Sequence, residues 1–169
     1  MNIDNQMKKL QTGDVSAFDS IYYQTRNTVF YVVLSIVKDK GIAEEVTQTA
    51  YLKVIKSASS YTLGTNAVAW IVRIARNIAL NVKIKRDREV YVDKNEAPEI
   101  FGVGQPDDYG LLIDLARKIL LADEFNILMM YACEGYNRRE IAEILDLPTS
   151  TVTYRYGCAI EKMRKALSD

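Results

Sequence analysis

EGYNRREIAEILDLPTSTVTYR, residues 134–155, is the stretch whose reading decides the fold. Asn137 can cap a helix, and Glu140 stands three residues on, at the reciprocal position of a capping box. Ile141, Ala142, Ile144 and Leu145 then face inward, Asp146 to Pro148 turns the chain, and Thr149 can cap a last helix running to about Leu167. Ala142 is small where two helices must approach closely, and Val152 returns an apolar contact from the second helix. The arrangement reads as a helix-turn-helix, in which the first residues of the second helix ordinarily enter a major groove. Here those residues are Thr149, Ser150, Thr151, Thr153, Tyr154 and Arg155, with Arg139 at the start of the preceding helix. Hydroxyls can bond phosphates or base edges and Arg155 can bridge guanine, while a tri-helical core that never meets DNA would show the same apolar spacing.

Working towards the amino terminus, helices are expected at about 108–121 and 123–133, after a stretch from Asp87 to Asp107 in which apolar residues lose their period. Pro98 and Pro106 appear there and acids accumulate, so it reads as a connector. Before it, a helix over about 67–86 carries Ile71, Ile74, Ala75, Ile78 and Val82 as one apolar stripe, with Arg73, Arg76, Asn77 and Lys83 on the other side. Residues 59–66, with Gly64, read as a loop. A helix over about 42–57 has Val46, Leu52 and Ile55 among its apolar positions and a polar surface with Glu44, Glu45, Gln48 and Thr49. A long helix over 16–37 is broken by Lys38 to Gly41.

Charge divides the chain in the same places. Its 22 basic and 22 acidic residues cancel, yet residues 1–86 carry 12 basic against 6 acidic, 87–114 carry 2 against 8, and 115–169 carry 8 of each. From Val46 through Arg86 there is not one Asp or Glu, while seven Lys and Arg fall inside. A phosphate backbone is the partner that most often supplies the missing negative charge. Two modules joined by an acidic connector would look this way.

Composition narrows the function classes. The chain has no histidine, which removes the commonest general base and metal ligand. It has no glycine-rich phosphate loop, and Cys133 and Cys158 lack metal-ligand or redox-pair spacing, so they read as buried thiols. No uncharged apolar run is long enough to span a bilayer, and the first residues lack the apolar core of a secretory signal. A cytoplasmic, non-enzymatic, helical chain without cofactor or metal is the expectation.

The combination of AEEVTQTAYLKV at 43–54, AWIVRIARNIAL at 69–80 and EGYNRREIAEILDLPTSTVTYR at 134–155 resembles the bacterial sigma-70 family, and within it the short extracytoplasmic-function (ECF) class. The resemblance implies an all-α fold of two small helical domains, a sigma domain 2 bundle at 1–86 and a sigma domain 4 helix-turn-helix at 108–169, joined by a flexible acidic linker at 87–107. It implies a transcription initiation factor that binds core RNA polymerase and promoter DNA, with an anti-sigma protein as a further partner and no membrane insertion. Polymerase would be met by Glu44, Glu45, Gln48, Tyr51 and Leu52. The −10 element would be engaged by the loop from Ser59, Ser60 and Tyr61 to Asn66, then by Trp70, Arg73, Arg76, Asn77 and Lys83. Tyr61 is expected to be the more accessible stacking residue, and Trp70 either stacks or anchors the core. The −35 element would be read by Arg139, Thr149, Ser150, Thr151, Thr153, Tyr154 and Arg155. The chain departs from the family pattern at Thr49, where an acid is usual, at Phe125 in place of Arg, at Asp146 in place of a turn Gly, and at Thr153-Tyr154 in place of Lys-Ser. The departures at Thr49, Phe125 and Thr153 motivate a second reading, a sigma-like interaction protein that binds polymerase or another regulator without opening a promoter.

Overall fold

The computed structural model describes residues 3–92 and 108–168, and among them there are eight α-helices, one 3-10 turn and no strand. The helices are α1 (Ile3–Gln11), α2 (Ala17–Val37), α3 (Lys40–Lys56), α4 (Ala67–Val92), α5 (Asp108–Ile119), α6 (Ala122–Ala132), α7 (Arg138–Leu145) and α8 (Thr149–Ser168). The 3-10 turn covers Ala58–Ser60, between α3 and α4.

Local chemistry sets the boundaries. Lys38 closes α2 in the left-handed conformation, φ 59°, and its N–H returns to the Leu34 carbonyl. Asp39 then caps α3, its carboxylate accepting from the Ile42 N–H at 2.9 Å. The capping box read at Asn137 and Glu140 is formed: Asn137 Oδ1 accepts from the N–H groups of Arg139 and Glu140, and Glu140 Oε2 accepts from the N–H of Asn137. Asp146 takes the left-handed turn, φ 56°, between α7 and α8. Thr149 is already the first residue of α8 rather than its cap, because the Val152 N–H bonds the Pro148 carbonyl.

Three expectations are corrected. Cys133 is exposed and Cys158 half-buried, so neither is the buried thiol expected. The segment Asp87 to Val92 continues α4 instead of starting the connector: it contains neither Pro nor Gly, so a helix already underway has nothing to stop it. The rest of the expected connector, 93–107, lies outside the described residues. The third correction is α1, an element with no counterpart in the sequence reading. It buries Gln6, Met7 and Leu10 against α2 and α4, and its Gln11 donates to the carbonyls of Ala58 and Tyr61 at 2.9 and 2.7 Å.

Helices α1–α4 form one bundle, α5–α8 a second, and the core is continuous between them. Helix α2 is central: Val32, Val33, Leu34 and Ser35 are all buried in succession, which only a helix covered on more than one side can do. Its neighbours include α3 and α4 in the first bundle and α6 in the second. At that second contact Tyr31 meets the fully buried Phe125 edge to face, with ring centroids 6.2 Å apart. The Phe125 departure is thus a core substitution. Within the second bundle α6 packs on α8, and buried Glu124 accepts from Lys162 at 2.7 Å.

Candidate polymerase and nucleic-acid interfaces

Three separate surfaces carry the residues singled out in the sequence. The first is an open groove of about 700 Å³ between α2 and α3, with Glu44, Gln48 and Leu52 along one wall. Glu44, Glu45 and Gln48 are exposed, and Leu52 keeps 60% of its surface in water although it is a large aliphatic side chain. Tyr51 also lines the groove but, unlike them, offers it little surface. It is 4% exposed, its hydroxyl lies 2.7 Å from Thr25 Oγ1, and Phe18 and Tyr22 pack on its ring edge-on. Burial pushes its phenol far above the usual tyrosine value. The reason is helical geometry: consecutive residues diverge by about 100°, so Tyr51 and Leu52 cannot share a direction.

The opposite wall of the groove was missed in the sequence. Phe18, Tyr22, Arg26 and Phe30 recur every four residues on α2 and line it together with Tyr23, whose ring is 67% exposed under the Arg26 guanidinium. That four-residue spacing was a legible signal in the sequence.

The second surface is the loop before α4 and the outer face of that helix. Ser59 and Ser60 are exposed, as are Arg73, Arg76, Asn77 and Lys83, while Ile71, Ala75 and Ala79 are fully buried beneath them. Tyr61 departs from expectation: it is 3% exposed, and its hydroxyl lies 2.7 Å from both Asp4 Oδ1 and the Thr65 carbonyl. Burial, with the Asp4 carboxylate adding to it, raises its phenol above the ordinary value. Asp4 also accepts from the Gly64 N–H at 3.0 Å, so α1 ties both ends of this loop. Gly64 sits at φ +82°, where a side chain would be strained. Trp70 is half-buried with its ring 5.5 Å from that of Tyr61, leaving it the partly accessible aromatic of the pair. Asn66 caps α4 through Oδ1 to the Ala69 N–H, and its amide donates to Glu143 Oε2 at 3.3 Å.

The third surface is the amino-terminal end of α8. Thr149, Ser150, Thr153 and Tyr154 are exposed, Tyr154 by 73%, and Val152 beneath them is fully buried. Thr151 is intermediate. Arg139 is exposed at the start of α7. Arg155 points another way: it pairs with Asp123 at the start of α6. The exposed face of this helix start is therefore made of hydroxyls and one phenol, without a cation.

Residues 21–89 match the family described as Sigma-70 region 2. Along its whole length the chain is 25% identical to the ECF RNA polymerase sigma factor SigW of Bacillus subtilis (strain 168), of which the match covers 98%. It is 26% identical to the ECF sigma factor SigK of Mycobacterium sp. (strain KMS) across 98% of this chain and 91% of that one. Residues 21–89 thus match a Sigma-70 region 2 domain, and the chain as a whole is similar to ECF sigma factors. Members of this family are sigma factors rather than catalysts. The sigma-factor fold is seen too in RpoE of Bartonella quintana, solved with the anti-sigma factor NepR, with a TM-score of 0.74 at 22% identity over 91% of this chain and 98% of that one. CnrH, solved with the cytosolic domain of CnrY, gives 0.67 at 15% identity over 98% and 96%. No helix among the described residues is long and apolar enough to cross a membrane, and no group of side chains there could hold a metal.

Proposed function

We propose that this sigma factor binds core RNA polymerase through the α2–α3 groove, opens the −10 region with the loop 59–66 and α4, and reads the −35 duplex with the start of α8. It does so in the cytoplasm and without catalytic activity of its own. The observation that carries this reading is the separation of surfaces: exposed Leu52 beside Glu44, Glu45 and Gln48 faces one partner, and acid-free Arg73, Arg76 and Asn77 face another. Apolar contact rimmed by polar groups suits a protein surface. Exposed guanidinium groups near a half-buried Trp70 suit a single strand, whose backbone they neutralise while a base stacks. Thr49, where the family usually has an acid, donates to the Glu45 carbonyl at 2.9 Å within its own helix, so the groove meets its partner with one charge fewer. An anti-sigma protein is a further partner of the same chain.

Run-off transcription and permanganate footprinting with purified core polymerase test this. Arg73→Ala with Arg76→Ala should leave core binding near normal and lower the salt slope of single-strand binding by about 1.4, at roughly 0.7 per lost phosphate contact. Equal loss of core and DNA binding would assign α4 to the wrong partner. Core binding with no reactive thymines at any promoter would assign the chain to the second reading, an interaction protein without promoter opening.

A further inference from the structure

Helix α1 meets the loop before α4 through two half-buried polar side chains seven residues apart, Asp4 and Gln11. That spacing sets them on one face of the helix, about 10 Å from each other along its axis. Met7 and Leu10, between them, are buried in the core and fix where that face points. Gln11 spends both amide protons on the start of the loop, donating to the Ala58 carbonyl at 2.9 Å and the Tyr61 carbonyl at 2.7 Å. Asp4 serves the far end. Its Oδ1 accepts from the Gly64 N–H at 3.0 Å and lies 2.7 Å from the Tyr61 hydroxyl.

The loop itself is two short turns. The Tyr61 N–H returns to the Ala58 carbonyl in the first, and the Thr65 N–H returns to the Thr62 carbonyl in the second. The Tyr61 side chain joins them, because its hydroxyl also lies 2.7 Å from the Thr65 carbonyl. Every residue from Thr62 to Thr65 is exposed, and Gly64 holds the left-handed backbone that lets its N–H face Asp4. Solvent-exposed turns with few buried apolar contacts belong to the least stable parts of a fold. Their shape here is set from behind, by α1. Tyr61 is the strut on which both α1 contacts converge, which leaves the Trp70 ring, 5.5 Å away, as the aromatic turned partly to solvent.

We propose that Asp4 and Gln11 are positioning residues for promoter opening, holding the loop 58–66 in one shape before DNA arrives. A base leaving the duplex then meets a formed surface beside Trp70 instead of one that must order around it. The two side chains act through the loop and not by contact with the strand. The gain is pre-organisation: a site that is competent only part of the time binds more weakly by that fraction, and ordering paid in advance removes the loss. The step affected is opening, since duplex capture at −35 and polymerase docking use other surfaces. The role in opening rests on the function proposed above, whereas the brace does not.

The test uses the full chain with core polymerase, on a promoter recovered by run-off transcription from genomic fragments, with opening followed by permanganate reactivity. Asp4→Ala and Gln11→Met should each slow open-complex formation by about tenfold, a change of the size that one or two hydrogen bonds supply. Affinity for core polymerase and for the closed promoter complex should stay unaltered. Asp4→Asn keeps the accepting oxygen and should open the promoter at close to the unaltered rate. Trp70 is the chain's one tryptophan, so its emission reads the brace without DNA: it should move to longer wavelength in Asp4→Ala and not in Asp4→Asn. An Asp4→Ala chain with full helical circular dichroism and an unaltered opening rate would overturn the proposal. So would an Asp4→Asn chain as slow as Asp4→Ala, or equal losses of core binding and opening, which would mark a role in the fold alone. Should Asp4→Ala lose helicity, Gln11→Met, close to Gln in volume, decides by the same readings. If the unaltered chain opens no promoter while Trp70 responds as stated, the proposed function fails and the role in opening with it, and the brace stands.

Discussion

Tyr51 and Leu52 are neighbours in sequence with opposite expected roles, and separating them tests both the groove and the fold. Thr25 Oγ1 donates to the Ile21 carbonyl at 2.7 Å, so in the 2.7 Å contact with Tyr51 the phenol is the donor. Tyr51→Phe deletes that donor and leaves Thr25 with its own bond intact, a loss of about 1 kcal/mol for one buried hydrogen bond. With a urea m-value of about 2 kcal/mol/M, the unfolding midpoint should fall by roughly 0.5 M with m unchanged. Tyr51→Ala also empties the space between Phe18 and Tyr22 and should cost about 3–5 kcal/mol, a large share of the 5–15 kcal/mol typical of a folded domain. Leu52→Ala, at 60% exposure, should stay within about 0.5 kcal/mol of the unaltered chain. Its core polymerase affinity should instead drop by about tenfold, the equivalent of losing roughly 1.4 kcal/mol of apolar burial on docking. Urea unfolding and polymerase binding are therefore measured on the same three variants. A Tyr51→Phe chain of unaltered stability that binds polymerase poorly would refute the assignment of Tyr51 to the core. A Leu52→Ala chain destabilised by more than about 1 kcal/mol, with unaltered polymerase affinity, would refute the groove.

Alkaline stability follows from the same burial. Tyr31, Tyr51 and Tyr136 all have phenols raised by burial, so above pH 10 the unfolded chain releases protons that the folded chain retains. Their stabilising contribution is complete below the unfolded value near 10 and declines as pH rises beyond it, by up to about 1.4 kcal/mol per pH unit for each tyrosine. Denaturant titrations between pH 9 and 11 should show a shallower decline for Tyr51→Phe than for the unaltered chain; parallel curves would contradict it. At the helix-turn-helix, Asn137→Ala removes the acceptor for two N–H groups and should lower stability by about 1 kcal/mol, read by thermal unfolding. Asp123→Asn should release Arg155, steepening the salt dependence of −35 duplex binding by about 0.9, with little change in stability because the pair is one-third exposed. An unaltered slope in fluorescence anisotropy would mean that Arg155 does not reach DNA even when freed.

What the sequence by itself determined was whatever a single helix can specify. The stripe Ile71, Ala75 and Ile78 told which side of α4 is inward, and the exposed Arg73, Arg76 and Asn77 follow from it by rotation. The Asn137–Glu140 box and the Asp146 turn were legible because caps and left-handed residues act within a few positions of chain. Tyr61 and Tyr51 were misplaced because their burial depends on partners far along the chain: Asp4 lies 57 residues from Tyr61, and Thr25 lies 26 from Tyr51. The aromatic wall of the groove was present as Phe18, Tyr22 and Phe30, but periodicity cannot tell a core stripe from a groove until α3 is seen leaving one side open. The docking of the bundles was decided by tertiary structure alone. Phe125 is an ordinary core residue in sequence, and only the packing of α6 on α2 sets Tyr31 against it, because no local rule couples helices about 100 residues apart.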